Sequence, residues 1–290
     1  TCHAVIKANP ERSVTLLQGA GTIFGNRTRA LPEGLARYWR GHVLLRSFKE
    51  VSTRFDGTNE GDVFAFFREK YTISLDAPGE RFMFGILSEE ERDTIRGGLT
   101  ALLNDYLADV IDDADDGTPV MITRTGERRA LQHGTTVVNC TGHVLRHDRP
   151  YRPFLSPGGA ILTITSRSAG HFLSSVSGYF LGHLFFAGQL QDAPLYEIDL
   201  DGARQLGPKL FHVAGTTHTF HNTAVIIGLL PFTVLDRCHL DLDRWFPLHR
   251  RLPIFLDVKL NRRRYIDQCR AALDRVRAER GLRCGPLAAA

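Results

Sequence analysis

Val137-Val138-Asn139-Cys140-Thr141-Gly142 constrains this chain more than any other stretch: two β-branched residues run into a small-residue turn that ends in glycine. Valines favour a pleated, half-buried backbone, and glycine suits a backbone that turns tightly or passes close to a ligand. Gly134-Thr135-Thr136 extends the strand signal upstream, and the text turns polar and proline-containing over residues 143–153. The pattern predicts a strand delivering a tight turn at its carboxyl end, where open α/β sheets hold ligands. An ordinary strand ending in a turn fits the same letters.

With 290 residues, 43% hydrophobic and 23% charged, the chain has material for roughly two domains. A net charge of +4 is too small to demand a polyanion, so no nucleic-acid partner is expected. The arginine-rich residues 262–283 interleave Asp267, Asp274 and Glu279, as solvated helices do. Cys2, Cys140, Cys238, Cys269 and Cys284 are odd in number and lack CxxC spacing, which argues against a disulfide scaffold and for a reducing, cytoplasmic setting. No apolar run reaches the roughly 18 residues of a membrane span, and no membrane partner is expected. Residues 2–8 read as a helix in progress, stopped by Asn9-Pro10, so further chain is expected before Thr1.

Along the chain, residues 13–18 (SVTLLQ) and Val43-Leu44-Leu45 read as short strands, and residues 35–40 and 62–71 as helices. Ser88-Glu89-Glu90-Glu91 is a capping box, and Ile95, Leu99, Leu102, Leu103, Tyr106, Leu107 and Val110 predict that its helix continues to about Ile111. Residues 119–125 and the strand at Thr135 form a predicted hairpin or pair of neighbouring strands. Residues 160–165 and 209–215 (KLFHVAG) read as strands. Residues 172–190, 245–248 and 258–280 read as helices, the last basic and exposed. Alternation of strands and helices makes the class α/β.

Several stretches could carry chemistry. Gly19-Ala20-Gly21-Thr22-Ile23-Phe24-Gly25 matches GxGxxxG after a strand and could be a first phosphate loop, although Pro32 would cut its crossover helix at Leu31. Alternatively SVTLLQ is the second strand of a Rossmann unit, and Gln18 at its tip reads the ribose of a nicotinamide cofactor. Arg27, Arg29 and Arg46 could then pair with a 2′-phosphate, or be ordinary surface arginines. Gly215-Thr216-Thr217-His218-Thr219 reads as a strand-to-helix turn, with Asn222 capping the helix that follows; it could favour an anion or an electron-rich ring edge, or simply be a satisfied polar turn. His212, His218 and His221 lack ligand spacing and a supporting carboxylate, so no metal is expected. The DDxxD at residues 112–116 reads as a solvated turn, and Cys140 as a small buried hydrophobe. Neither GxSxG nor GxxxxGK occurs, and no catalytic base is identified.

Taken together, VTLLQ, VVNCTG and KLFHVAG followed by a glycine-ended turn resemble the carboxyl-terminal half of two-dinucleotide-binding flavoproteins, above all flavin-dependent monooxygenases and pyridine-nucleotide oxidoreductases. In that group an Ala-Thr-Gly turn marks the return from the NAD(P) domain to the FAD domain, with Cys140 standing here for the alanine. A late glycine, matched by Gly215, approaches the flavin. Thr216 replaces the acidic residue often found after that glycine. The resemblance implies a Rossmann-like fold incomplete at its amino terminus. It divides the chain into a partial NAD(P)-binding domain at 1–142 with a helical insertion at about 31–118, part of an FAD-binding domain at 143–240, and a helical extension at 241–290. It further implies FAD and NAD(P) as cofactors, a small-molecule substrate, and cofactor contacts from Gln18, Arg27, Arg46, Cys140, Thr141, Gly142, Gly215, Thr216, His218 and Asn222. The expected function is a flavin-dependent NAD(P)H oxidoreductase; the alternative is a non-catalytic nucleotide-binding regulatory module.

Overall fold

Ser88 and Glu91 close the reciprocal cap that the sequence announces. The Ser88 hydroxyl accepts from the Glu91 amide at 3.1 Å, and the Glu91 carboxylate accepts from the Ser88 amide at 2.9 Å. In the computed structural model the helix ends at Gly98, and strands occupy the residues expected to prolong it. Gly97-Gly98 is a poor helix interior, and a Cβ on Gly98 would lie 2.2 Å from Ile6 Cγ2. The structure describes residues 1–290 apart from 77, 78, 80, 114–116, 141–149, 157, 159–161, 163, 164, 172–175, 191, 238–242 and 288–290.

In chain order the helices are α1 (Cys2–Ala8), α2 (Arg27–Ala30), α3 (Leu44–Ser52), α4 (Glu60–Tyr71), α5 (Glu89–Gly98), α6 (Gly182–Phe186), α7 (Leu200–Leu206), α8 (Pro208–Leu229), α9 (Phe232–Arg237), α10 (Leu248–Leu260) and α11 (Arg262–Arg280). A 3-10 turn spans Gly34–Tyr38 and a π-helical turn Val176–Leu181. The strands are β1 (Thr15–Leu17), β2 (Thr22–Asn26), β3 (Thr72–Ser74), β4 (Arg81–Leu87), β5 (Ala101–Leu103), β6 (Leu107–Asp112), β7 (Pro119–Thr123), β8 (Arg128–Ala130), β9 (Tyr196–Ile198) and β10 (Cys284–Pro286). Two units share the chain: residues 1–27 with 72–143, and residues 28–71 with 144–290. The stretch 31–118, expected as one insertion, thus contributes to both.

The first unit is mixed α/β. β1 and β5 pair in parallel, from Thr15 opposite Ala101 to Leu17 opposite Leu103. β2 lies between antiparallel β3 and parallel β4, and β6, β7 and β8 form an antiparallel meander. Ile6, Leu75, Leu87 and Ile95 are buried together. Residues 19–25 do not open a crossover helix: Ile23 is buried inside strand β2, and only the four residues of α2 follow. The strand expected at Val137-Val138 is also absent. Residues 135–140 belong to no described ladder and both valines are exposed, because the Leu131 amide donates back to the Pro119 carbonyl at 2.7 Å and closes the meander before them. Thr141 and Gly142 lie outside the described residues, as does most of the strand expected at 160–165.

The second unit is built around α8, which is covered by α3, α4, α7, α10, α11 and β9. KLFHVAG is therefore not a strand. Pro208 starts the helix with a preset φ after Gly207, and burial on nearly every side removes the polar stripe from which a helical period is read. Val43-Leu44-Leu45 likewise enters a helix. The Asp243 carboxylate accepts from the amides of Leu44 and Leu45 and so caps α3 from a distant point of the chain. A 3-10 turn stands where a helix over 35–40 is expected, and of residues 245–248 only Leu248 is helical, as the first residue of α10. The helix read over 258–280 breaks at Asn261; α11 then buries Tyr265, Cys269, Leu273 and Val276 rather than standing free.

Candidate functional site

Gln18 directly follows β1, and its amide donates to the Leu103 carbonyl at 3.0 Å, prolonging the parallel pairing with β5. Its side-chain Nε2 donates to Asn104 Oδ1 at 2.6 Å, and Asn104 Nδ2 donates to Asp76 Oδ2 at 3.2 Å. The chain then turns through Gly19 and Gly21 at φ +64° and +81°. A Cβ on Gly19 would meet Tyr106 Cε1 at 2.6 Å, so only glycine lets this turn lie on the ring. The Tyr106 hydroxyl accepts from the Ala20 amide at 3.3 Å, and the guanidiniums of Arg124 and Arg81 stand 4.4 and 5.7 Å from its ring centre. Next to it, hydrogen bonds from Thr123 and Thr125 lower the Asp105 carboxyl to about 2. Two carboxamides and a carboxylate suit ribose hydroxyls, and two guanidiniums suit a phosphate.

Asn104, Asp76, Arg81 and Arg124 are not among the candidate site residues read from the sequence, and Tyr106 is read there only as an apolar position of a helix. The signal lay in Asn104-Asp105-Tyr106 after two leucines, but the helical spacing of the surrounding apolar residues concealed it.

The second group of sequence candidates lies inside α8. Gly215 is a buried helix residue and not a turn, and Asn222 is buried in the helix and not its cap. Asn222 Nδ2 donates to the carbonyls of Gly170 (2.7 Å) and Tyr196 (2.8 Å), and Oδ1 accepts from the Tyr196 amide at 2.9 Å. His218 Nε2 lies 2.7 Å from the Tyr196 carbonyl, which can only accept, so that nitrogen carries the proton. Its Nδ1, with the hydroxyls of Thr216 and Thr217, has no hydrogen-bond partner among the described residues. His221 Nδ1 donates to Asn222 Oδ1 at 2.9 Å, and its Nε2 accepts from Arg270 Nε at 3.3 Å.

Burial lowers His212 and His218 to about 3 and His221 to about 4, so all three are neutral near pH 7. Among the described residues no group of His, Cys, Asp and Glu could hold a metal. Nor does residue 215 fit a flavin edge: its amide lies within the helical ladder and its surface is covered.

The remaining candidates are dispersed. Arg27 pairs with Glu91 at 2.9 Å, at the end of β2 rather than of β1. Arg46 is exposed on α3 in the other unit. Cys140 is exposed, contrary to the buried position expected, because no strand forms to carry it inward. Asp112 ends β6 opposite Pro119, and the Asp113 amide donates to the Thr118 carbonyl at 2.8 Å; residues 114–116 are outside the described set. Compared with known proteins, the chain matches no family model, no curated relative and no solved structure.

Proposed function

We propose that the first unit holds a nicotinamide dinucleotide at the carboxyl ends of β1 and β5, as part of an FAD-dependent, NAD(P)H-using oxidoreductase acting on a small organic substrate. One observation carries this reading: Leu17 and Leu103 pair in parallel, and Gln18 and Asn104 are hydrogen-bonded just beyond them. Parallel strands far apart in sequence, ending on a glycine turn, are where α/β sheets receive nucleotides. The carboxamides of Gln18 and Asn104 and the Asp76 carboxylate orient the ribose. Arg81 and Arg124 would meet a 2′-phosphate, which favours NADPH over NADH.

When bound, the nicotinamide would supply a hydride; Gln18, Asn104 and Asp76 would hold its ribose, and Arg81 and Arg124 its phosphate. The FAD implied by the family resemblance is not assigned to α8, where residues 215–222 do not suit it.

Calorimetric titration of the full chain with NADPH and NADH tests this. NADPH should bind more tightly, Gln18→Ala should weaken both by about tenfold, and Arg124→Ala should weaken NADPH alone, each tenfold corresponding to about 1.4 kcal/mol. A folded chain that takes up neither nucleotide ends the reading.

A further inference from the structure

Both tryptophans of the chain, Trp39 and Trp245, are exposed in the second unit. Leu35 on the 3-10 turn is 70% exposed and Trp39 just after it 65%. The turn is fixed by polar contacts. Trp245 Nε1 donates to the Pro32 carbonyl at 2.7 Å, His249 Nε2 donates to the Tyr38 carbonyl at 3.0 Å, and Arg250 donates to the carbonyls of Arg40 and Gly41. Arg37 stands 5.5 Å from the Tyr38 ring centre and 5.8 Å from that of Trp245. Gly41, at φ +91°, has no room for a side chain, since a Cβ would lie 2.5 Å from the Arg29 carbonyl oxygen. A firmly held turn thus presents its apolar side chains to water, and exposed apolar patches of this kind mark interaction sites.

The charge flanking the turn is mostly positive, although Arg251 is paired with Asp236 at 3.0 Å. Residues 28–46 contain Arg29, Arg37, Arg40 and Arg46 against the single acid Glu33, and residues 244–251 contain three arginines and no acid. Leu35 and Trp39 stand largely in water beside these arginines, and an exposed apolar pair flanked by positive charge suits a soft, anionic partner. Tryptophan and tyrosine rings settle at lipid headgroup depth, leucine reaches the acyl boundary, and arginines meet lipid phosphates.

We propose that this surface docks the protein on an anionic membrane, with Leu35 and Trp39 entering the headgroup layer and Arg37 and Arg40 on its phosphates. The contact is peripheral: no described helix is long and apolar enough to cross a membrane. It departs from the sequence expectation of no membrane partner, and it goes beyond the nucleotide site.

The two tryptophans themselves report the contact. Vesicles of phosphatidylglycerol and phosphatidylcholine should sediment the full chain and shift its tryptophan emission to the blue, while pure phosphatidylcholine vesicles should do neither. Raising the salt should weaken binding. Leu35→Ser/Trp39→Ser and Arg37→Gln/Arg40→Gln should each weaken it at least about fivefold, whereas Arg263→Gln/Arg264→Gln, at an exposed basic site elsewhere, should not. Trp39→Phe guards against misfolding and should retain most of the binding. Four results overturn the proposal: no sedimentation with anionic vesicles, equal binding to pure phosphatidylcholine, an emission shift with inorganic phosphate alone, or a dimer in light scattering that the Leu35→Ser/Trp39→Ser pair dissociates.

Discussion

Asn222 is paired in both directions with the backbone of Tyr196, accepting from its amide at 2.9 Å and donating to its carbonyl at 2.8 Å. A helix side chain thereby serves β9 as a further strand would, while β10 pairs with β9 through its own antiparallel ladder. With its third bond, to the Gly170 carbonyl, Asn222 satisfies three buried backbone groups.

Removing that carboxamide should be among the most damaging single changes in the second unit. Asn222→Leu takes the side-chain partner from the Tyr196 amide and the Gly170 carbonyl, leaving the Tyr196 carbonyl to His218 alone, and should cost about 3 kcal/mol in urea unfolding. Asn222→Asp keeps an acceptor but loses the donor and should cost a similar amount. Losses below about 0.5 kcal/mol for both would show that water reaches the site.

Stability should fall on mild acidification. His212, His218 and His221 are lowered in the folded chain by burial, to about 3, 3 and 4, from an ordinary value of 6.5. Between those limits the unfolded state binds more protons, so stability is complete above about pH 6.5 and is lost as pH falls towards the folded values. Each histidine should cost about 2 kcal/mol by pH 5. Denaturant midpoints at pH 7.5 and 5.5 check this, and equal midpoints would mean that the imidazoles are hydrated.

Gly19→Ala should damage the first unit and its nucleotide site together. The new methyl requires a strained positive φ and overlaps the Tyr106 ring, on which Arg81 and Arg124 rest. A loss of about 2 kcal/mol is expected, with weaker NADPH binding. Ala20→Gly serves as the control, and the two should be separable by thermal melting.

The two helix caps should differ in cost. Ser88→Ala removes the hydroxyl that accepts from the Glu91 amide at a partly exposed helix end, while the Ser88 amide keeps the Glu91 carboxylate, and should cost about 1 kcal/mol. Asp243→Ala removes a buried carboxylate from two α3 amides and should cost about 2 kcal/mol or more. Chemical denaturation of both variants decides it; an equal cost would mean that burial adds nothing to the cap.

What the sequence made legible was local. The Ser88 cap and the amphipathic helix ending at Tyr71 carry their own signals, and SVTLLQ ends in Gln18 where a strand tip was expected. The failures have tertiary causes. Val43-Leu44-Leu45 becomes helical because Asp243, far along the chain, supplies the cap. KLFHVAG hides its helical period because helices cover it on several sides. Val137 and Val138 have the composition of a strand but pair with no strand among the described residues. Of the candidate site, Gln18 was readable, but Asn104, Asp76 and the two arginines reach it from other strands and loops.

The wall formed by α3 and α4 against α8 has a consequence for biosynthesis. Their apolar faces are complete in sequence once Tyr71 is made, yet the helix they cover starts only at Pro208. At roughly 5–20 residues per second the wait is on the order of ten seconds, long enough for holdase chaperones to engage the nascent polypeptide.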